Sequence, residues 1–389
     1  KMELKAMKKL FSHRNLVFAI IIIGIFARGF RLGSVPGGIN MDEAFGAYEG
    51  YSLLHYGMDS HGYSFPVYLE TWGSGMSALN SYLMLPFIAL FGLHTWVIRL
   101  PQFIASCFTL PVVYKLLRRM INRDAALTGL LYIAVCPWSV MYARWGLDCN
   151  LAPAFLLFGF YFFVSGVENT KYYLLSALFY GLSLYCYATI WPVVPVMLVL
   201  MSAYLIYTRQ LRIDLYSVSA VLLLGLLALP LILFLLVNNG YISEIVTPFI
   251  SIPALSAMRE SEISFSDILW KLKLNIIMIL KQDDGLYWNF AGSFGLYYRG
   301  FLIFGAVGGL FCLKRFITSI ARRSYSSVVM LLFPFLCGLM LCALISANFN
   351  RINCLHIPIS LFIALGLYFT AGFLKNTLNL LLRQSAFYP

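Results

Sequence analysis

Charge is what this chain has least of. Asp, Glu, Lys and Arg make up 11% of its 389 residues, against about 25% in a soluble globular domain. Hydrophobic residues make up 61%, and the mean hydropathy is +0.81. So much apolar surface excludes a water-soluble fold, because only lipid can cover it. There is no P-loop and no GxGxxG run, which excludes the common Gly-rich cradles for nucleotide phosphates. The eight cysteines form no CxxC pair and show no metal spacing. They read as small hydrophobes within apolar runs and identify no redox compartment. No internal repeat or low-complexity tract stands out. The formal charge of +12 does not point to nucleic acid, because Lys and Arg cluster between apolar runs, as topology signals do.

What remains is a polytopic, all-α membrane protein with about 10–11 transmembrane helices. Candidate spans are 16–34, 99–117, 125–143, 150–167, 172–190, 192–207, 215–237, 299–313, 328–347 and 352–373, with 376–388 either starting another span or lying on the surface. The first run has no small-residue cleavage site after it, so it reads as a retained helix. Residues 1–389 read as one membrane domain. Basic clusters fall at 1–14, 115–123, 171, 209–212, 314–323 and 375. A cytoplasmic N-terminus, residues 1–15, puts every one of them inside. Only Glu3, Asp124, Glu168 and Asp214 then face the cytoplasm, and the other twelve acids face outward. The positive-inside rule uses Lys and Arg alone, so the acids are independent evidence that the functional groups lie at the plasma membrane's outer face.

Two outer loops are long, 32–98 and 238–298, and loops of that length in a compact bundle are usually functional. The first reads as two short helices on the membrane surface, 42–56 with Asp42 as N-cap, and 75–92, broken by Pro86 and ending at Gly92. The second carries Trp270, Lys271 and Lys273 on an interfacial helix.

Within these loops the acids draw attention first. Asp42 and Glu43 are adjacent just beyond the first span. A hydroxyl is a poor nucleophile near neutral pH and needs a positioned base. An Asp at a helix N-terminus stays ionised for that task, because backbone N–H groups and the helix dipole favour the anion; a plain capping role explains the same residue. Arg144 and Asp148 follow Pro137-Trp138 at the outer end of the third span. They either pair with each other, or Asp148 supports the base while Arg144 faces an anion. Arg351, in Asn350-Arg351-Ile352-Asn353, is an isolated outer-face cation whose planar fork suits phosphate; snorkelling to headgroups is the bland alternative. His356 lies one turn further on. Trp288 and Asn289, in the run from Lys281, suit a carbohydrate, although aromatic belts give the same composition. Glu70 could bind a sugar or a metal, but His61 is too loosely spaced from it to define a metal site.

Taken in order, these elements resemble the GT-C superfamily of membrane glycosyltransferases, in particular the branch of protein O-mannosyltransferases and the aminoarabinose transferase of lipid A. The matching features are Asp42-Glu43 after helix one, two juxtamembrane helices, Arg99-Leu100-Pro101 opening the second span, Pro137-Trp138 with Arg144 and Asp148, and Asn350-Arg351 with Pro358. The resemblance covers residues 15–190 and, more loosely, 345–373; order and spacing carry it rather than any single motif. It implies a donor sugar on a polyprenyl phosphate and an acceptor hydroxyl on the exoplasmic face, with inversion at the anomeric carbon. By position it makes Asp42 the catalytic acidic residue, Asp148 a second acid in the same cavity and Glu70 an acid between the juxtamembrane helices. One departure matters: the aminoarabinose branch follows that Glu with Lys-Pro, whereas Thr71-Trp72 stands here. Arg351 or Arg144 must then bind the phosphate.

The resulting expectation is a polyprenyl-phosphate-sugar-dependent glycosyltransferase. Asp42 is the base, Glu43 and Asp148 orient it or the acceptor, and Arg351 and Arg144 hold the donor phosphate. Glu70, Trp288, Asn289, Asn353 and His356 contact sugar or acceptor. No cofactor is required, and a divalent metal is compatible but not indicated. With no soluble domain after residue 373, the loops would recognise an acceptor that is a cell-envelope glycan or glycolipid. Rival readings are a lipid-linked glycan flippase, which would show repeats and midplane charges, an O-antigen polymerase or ligase relying on late-loop Arg and His, and a scaffold subunit in which Asp42 does no chemistry.

Overall fold

The computed structural model describes residues 12–385, apart from 73, 258–264, 287 and 290–291. The basic stretch Lys1–Lys9 with Glu3, together with Gly73, Tyr287 and residues 386–388, lies outside the described residues.

Each of the ten expected spans contains a helix. They are α1 (His13–Gly29), α4 (Leu100–Met120), α5 (Arg123–Val135), α7 (Ala152–Gly166), α8 (Tyr172–Leu184), α9 (Ile190–Tyr207), α10 (Leu215–Asn238), α12 (Leu302–Arg322), α13 (Leu332–Leu344) and α14 (Asn353–Ser385). Among the described residues, seven helical segments are long and apolar enough to cross a membrane by length and composition. The chain is a multi-pass membrane protein. Between the spans lie α2 (Met41–Tyr56), α3 (Leu79–Phe91), the short α6 (Pro137–Tyr142) and α11 (Ile268–Lys281). Two small antiparallel pairs join β1 (Tyr68–Leu69) to β2 (Met76–Ser77) and β3 (Ile245–Val246) to β4 (Ser251–Ile252). Val67 N donates to Ser251 O at 3.0 Å and ties the two pairs together.

Local chemistry sets several boundaries differently from expectation. The third span does not run unbroken over 125–143. The residue before a proline is pushed out of the helical region, so Cys136 is extended and Pro137 begins α6. The amide of Trp138 is then satisfied by Leu296 O at 2.8 Å. Residues 75–78 are not helical, because Met76 and Ser77 pair as a strand; α3 starts at Leu79 and ends at Gly92, as its left-handed φ suits. The spans at 299–313 and 352–373 extend as helices to Arg322 and Ser385, so the segment after 375 continues α14 rather than starting a new element.

The segment Asp148–Gly166 has 89% of its span buried, against 17% for Leu302–Arg322. The first is the central post of the bundle and the second a peripheral helix, as an all-round apolar helix and a one-sided one should be. At one end of the bundle the connections are tied by polar contacts: Arg119 to Glu168 at 3.1 Å, Asn122 to Tyr368 at 2.7 Å and Thr170 to Asp214 at 2.5 Å. The two long loops meet at the other end.

Candidate functional site

A cleft of about 640 Å³ opens where the long loops converge, within the range of small-molecule sites. Its polar lining includes Asp42, Asp148, Asn348, Asn350 and Arg351. One side is apolar: Tyr68, Trp191 and Phe234 pack together, with ring centroids 4.7 Å apart for Tyr68 and Phe234 and 5.8 Å for Tyr68 and Trp191. Leu235 and Leu255 continue that wall, and Leu286 and Trp288 come from the second long loop.

Asp42 owes its place to its neighbours. The N-cap of α2 is Asn40, not Asp42: Asn40 Oδ1 accepts from Asp42 N at 2.9 Å, and Glu43 Oε2 accepts from Asn40 N at 3.1 Å, a reciprocal capping box. Asp42 sits in the first turn of the helix, exposed to the cleft, where the dipole favours its anion. Glu43 turns the other way. It is fully buried and bonded to Arg99, Nε to Oε1 at 2.8 Å and Nη2 to Oε2 at 3.1 Å. Gly146 N also donates to Glu43 Oε1 at 2.7 Å. A Cβ at residue 146 would stand 3.1 Å from Ile98 O and 3.2 Å from Glu43 Oε1, so glycine is what allows this approach. Arg99 spends its remaining donors on the carbonyls of Leu32, Pro36 and Gly38. One buried pair therefore fixes the loop that leads into Asn40 and the turn that leads into Asp148.

Asp148 is buried at the cleft wall. It accepts from Cys149 N at 2.7 Å and Ser77 N at 3.3 Å. The turn before it is held by its carbonyls: Asn80 Nδ2 donates to Gly146 O at 2.7 Å and Gln102 Nε2 to Leu147 O at 3.0 Å.

Several expected site residues lie elsewhere. Arg144 does not line the cleft. All three of its nitrogens donate to carbonyls of Ala27, Arg28, Phe30 and Val35, closing the C-terminal end of α1. Glu70 is half-buried and accepts from Ser256 Oγ at 2.8 Å. Asn289 is buried, bonded to Asp284 and Asn350. Asn353 is buried and donates to Cys149 O at 2.9 Å. His356 is enclosed by Trp138, Tyr142 and Tyr297. Its Nε2 lies 3.1 Å from Phe349 O and its Nδ1 against the Tyr297 hydroxyl. A carbonyl can only accept, so the ring carries a proton on Nε2 and donates it to Phe349 O. Thus Asp42, Asp148, Arg351 and Trp288 meet at the cleft, while Glu43, Arg144, Asn289, Asn353 and His356 form the frame behind it.

Sequence reasoning missed Tyr187, Thr189 and Trp191, which line the cleft at the break between α8 and α9. The available signal was polar Thr189 followed by Trp191-Pro192 between two apolar runs. Among the described residues no group of three or more His, Cys, Asp or Glu could hold a metal ion; the acids lining the cleft are Asp42 and Asp148.

Residues 78–239 match the family model described as dolichyl-phosphate-mannose-protein mannosyltransferase. None of the curated proteins matches the chain. Among solved structures, ArnT from Cupriavidus metallidurans bound to undecaprenyl phosphate superposes with a TM-score of 0.56 at 11% identity, over 91% of this chain and 59% of that one. The archaeal oligosaccharyltransferase AglB from Archaeoglobus fulgidus, in complex with an inhibitory peptide and a dolichol-phosphate, gives 0.55 at 15% identity, over 97% and 52%. The A. fulgidus enzyme in complex with Zn and sulfate gives 0.60 at 15%, over 96% and 52%. The chain thus spans between half and three-fifths of the length of these proteins. At such identities the likeness is one of fold, and it agrees with the fold that the resemblance in the sequence implies: the chain has the polytopic, GT-C-type helical fold that it shares with ArnT and AglB.

Proposed function

We propose that this protein transfers a sugar from a polyprenyl-phosphate donor to an acceptor hydroxyl at the exoplasmic face of the plasma membrane, with its N-terminus in the cytoplasm. The observation that carries the reading is one cleft that joins two carboxylates, Asp42 and Asp148, to Arg351 beside an apolar wall. In the reaction, Asp42 takes the proton of the acceptor hydroxyl as its oxygen bonds to the anomeric carbon from the face opposite the phosphate. The bond from that carbon to the phosphate oxygen breaks, its electron pair leaves with the phosphate, and the configuration inverts. Arg351 stabilises the charge that develops there. Asp148, held by two amides, orients the acceptor. Trp288 packs on a sugar face, and Trp191, Phe234, Leu235 and Leu255 suit the apolar carrier chain. The acceptor in this reading is a cell-envelope glycan or glycolipid.

Of the two roles expected for Glu43, orienting the base or orienting the acceptor, we keep the first. Its four hydrogen-bond donors leave no lone pair directed at a substrate, so it acts by placing Asp42. Arg144 likewise leaves phosphate binding to Arg351.

The test is single-turnover transfer in detergent from synthetic polyprenyl-phosphate sugars, followed by mass spectrometry of donor and released polyprenyl phosphate. Wild type should consume donor, and Asp42→Asn should lose at least ~100-fold, the scale of a removed general base. Equal turnover in both would remove Asp42 from the chemistry.

A further inference from the structure

We propose that Asp284 is a positioning residue for Arg351, an inference that rests on the reading of Arg351 as the donor-phosphate group. Asp284 does not itself line the cleft. Its Oδ2 accepts from Phe349 N at 3.1 Å and from Asn289 Nδ2 at 2.8 Å, and its Oδ1 accepts from Leu286 N at 3.1 Å. Asn350 Nδ2 then donates to Asn289 Oδ1 at 3.2 Å. One carboxylate therefore joins the segment that presents Leu286 and Trp288 to the segment that presents Asn348, Asn350 and Arg351.

The peptide groups of Phe349 are held from two directions. Asp284 takes the amide, and His356 Nε2 donates to the carbonyl at 3.1 Å. Asn348 Oδ1 accepts from the amides of Asn350 and Arg351 at 2.9 and 3.3 Å, closing a tight turn. Arg351 follows directly. A long guanidinium side chain serves an anion only if its backbone is fixed, since ordering it on binding costs affinity. The segment 345–352 lies outside any helix or strand, so side-chain bonds must supply the order that a helix would otherwise give. Asp284 supplies the charged acceptor among them, and such bonds are the stronger kind. His356, expected at first to touch sugar, serves the same segment from behind.

The experiment uses the full chain in detergent and two readouts. Hydrogen–deuterium exchange of the 346–352 peptide reports the positioning directly, and equilibrium binding of decaprenyl phosphate reports its consequence. Asp284→Ala should speed exchange at 346–352 and weaken decaprenyl phosphate roughly tenfold, the scale of one lost hydrogen bond to a charged group. Asp284→Asn keeps one acceptor oxygen and should recover part of both, which separates positioning from a folding defect. Combined with Arg351→Ala, Asp284→Ala should add no further loss, because its effect passes through that arginine. Unchanged exchange at 346–352, or losses that add in the double variant, would overturn the proposal. If wild type does not bind decaprenyl phosphate while exchange still rises in Asp284→Ala, the positioning stands and the phosphate reading of Arg351 fails.

Discussion

The cleft has two walls built on different principles. The N-terminal wall, carrying Asp42 and Asp148, rests on a fully buried ion pair: Glu43 and Arg99 together engage the carbonyls of Leu32, Pro36 and Gly38 and the amide of Gly146. The C-terminal wall, carrying Trp288 and Arg351, has no buried ion pair among the described residues. It rests on Asp284, Asn289, Asn348, Asn350 and His356, which bond chiefly to one another and to backbone. A buried pair costs much to desolvate and much more to leave half-made. Amide and imidazole bonds are individually modest. The wall holding the proposed base is therefore expected to be stiff, and the wall holding the phosphate group to be held by many small terms.

Removing half of the buried pair should have the largest effect. Glu43→Ala leaves Arg99 charged and buried without its partner, and should cost about 3–5 kcal/mol of stability, read as a fall in the thermal unfolding midpoint in detergent or as loss of the folded protein. Arg351→Ala should leave that midpoint in place while cutting turnover from a polyprenyl-phosphate sugar by roughly 100-fold, the scale of one removed charge-stabilising donor. Equal damage to stability from both would erase the contrast between the walls. Asn353→Ala probes the bond that joins them. It removes one of the two donors to the buried carbonyl of Cys149, which keeps the amide of Ala152, and should cost about 0.5–1.5 kcal/mol, checked by the same melts.

The smallest effect concerns Asp59, in the loop after α2. Burial raises its carboxyl above the ordinary range, opposed by the amides of Tyr63 and His61. The folded state then holds the proton more tightly than the unfolded chain. That contribution is full below the unfolded pKa of about 3.9 and is lost as pH rises through the raised folded value. Asp59→Asn keeps an oxygen for the Tyr63 and His61 amides. It should flatten the fall of stability above about pH 4 and raise the unfolding midpoint slightly at neutral pH. A steeper fall would contradict the sign.

Composition and hydropathy were enough to read the fold, because lipid leaves few options for an apolar chain, and each of the ten expected apolar runs contains a helix. The cleft was legible where a residue departs from its surroundings: Asp42 beyond a span, Asp148 after a Pro-Trp pair, Arg351 as a basic residue between two apolar runs. What was not legible is which of two neighbouring polar groups faces inward. Asp42 and Glu43 look alike in sequence, yet a helix turns consecutive residues by about 100°, and only Arg99, 56 residues away along the chain, decides which one is enclosed. Arg144 looked like an anion site for the same reason; its acceptors are the neutral carbonyls at the end of α1 and in the loop after it, which no spacing rule reveals. Thr189 and Trp191 were hidden because, although the spans divide at 191, nothing in the sequence says that the turn between α8 and α9 faces the cleft.

The central claim is that adjacent carboxylates do separate work, Asp42 chemistry and Glu43 architecture. The most direct test measures single-turnover sugar transfer and thermal unfolding side by side for Asp42→Asn and Glu43→Gln. The account predicts that Asp42→Asn loses at least ~100-fold in turnover with an unchanged midpoint, while Glu43→Gln lowers the midpoint. A variant at Asp42 that unfolds early, or that turns over as fast as wild type, would contradict it.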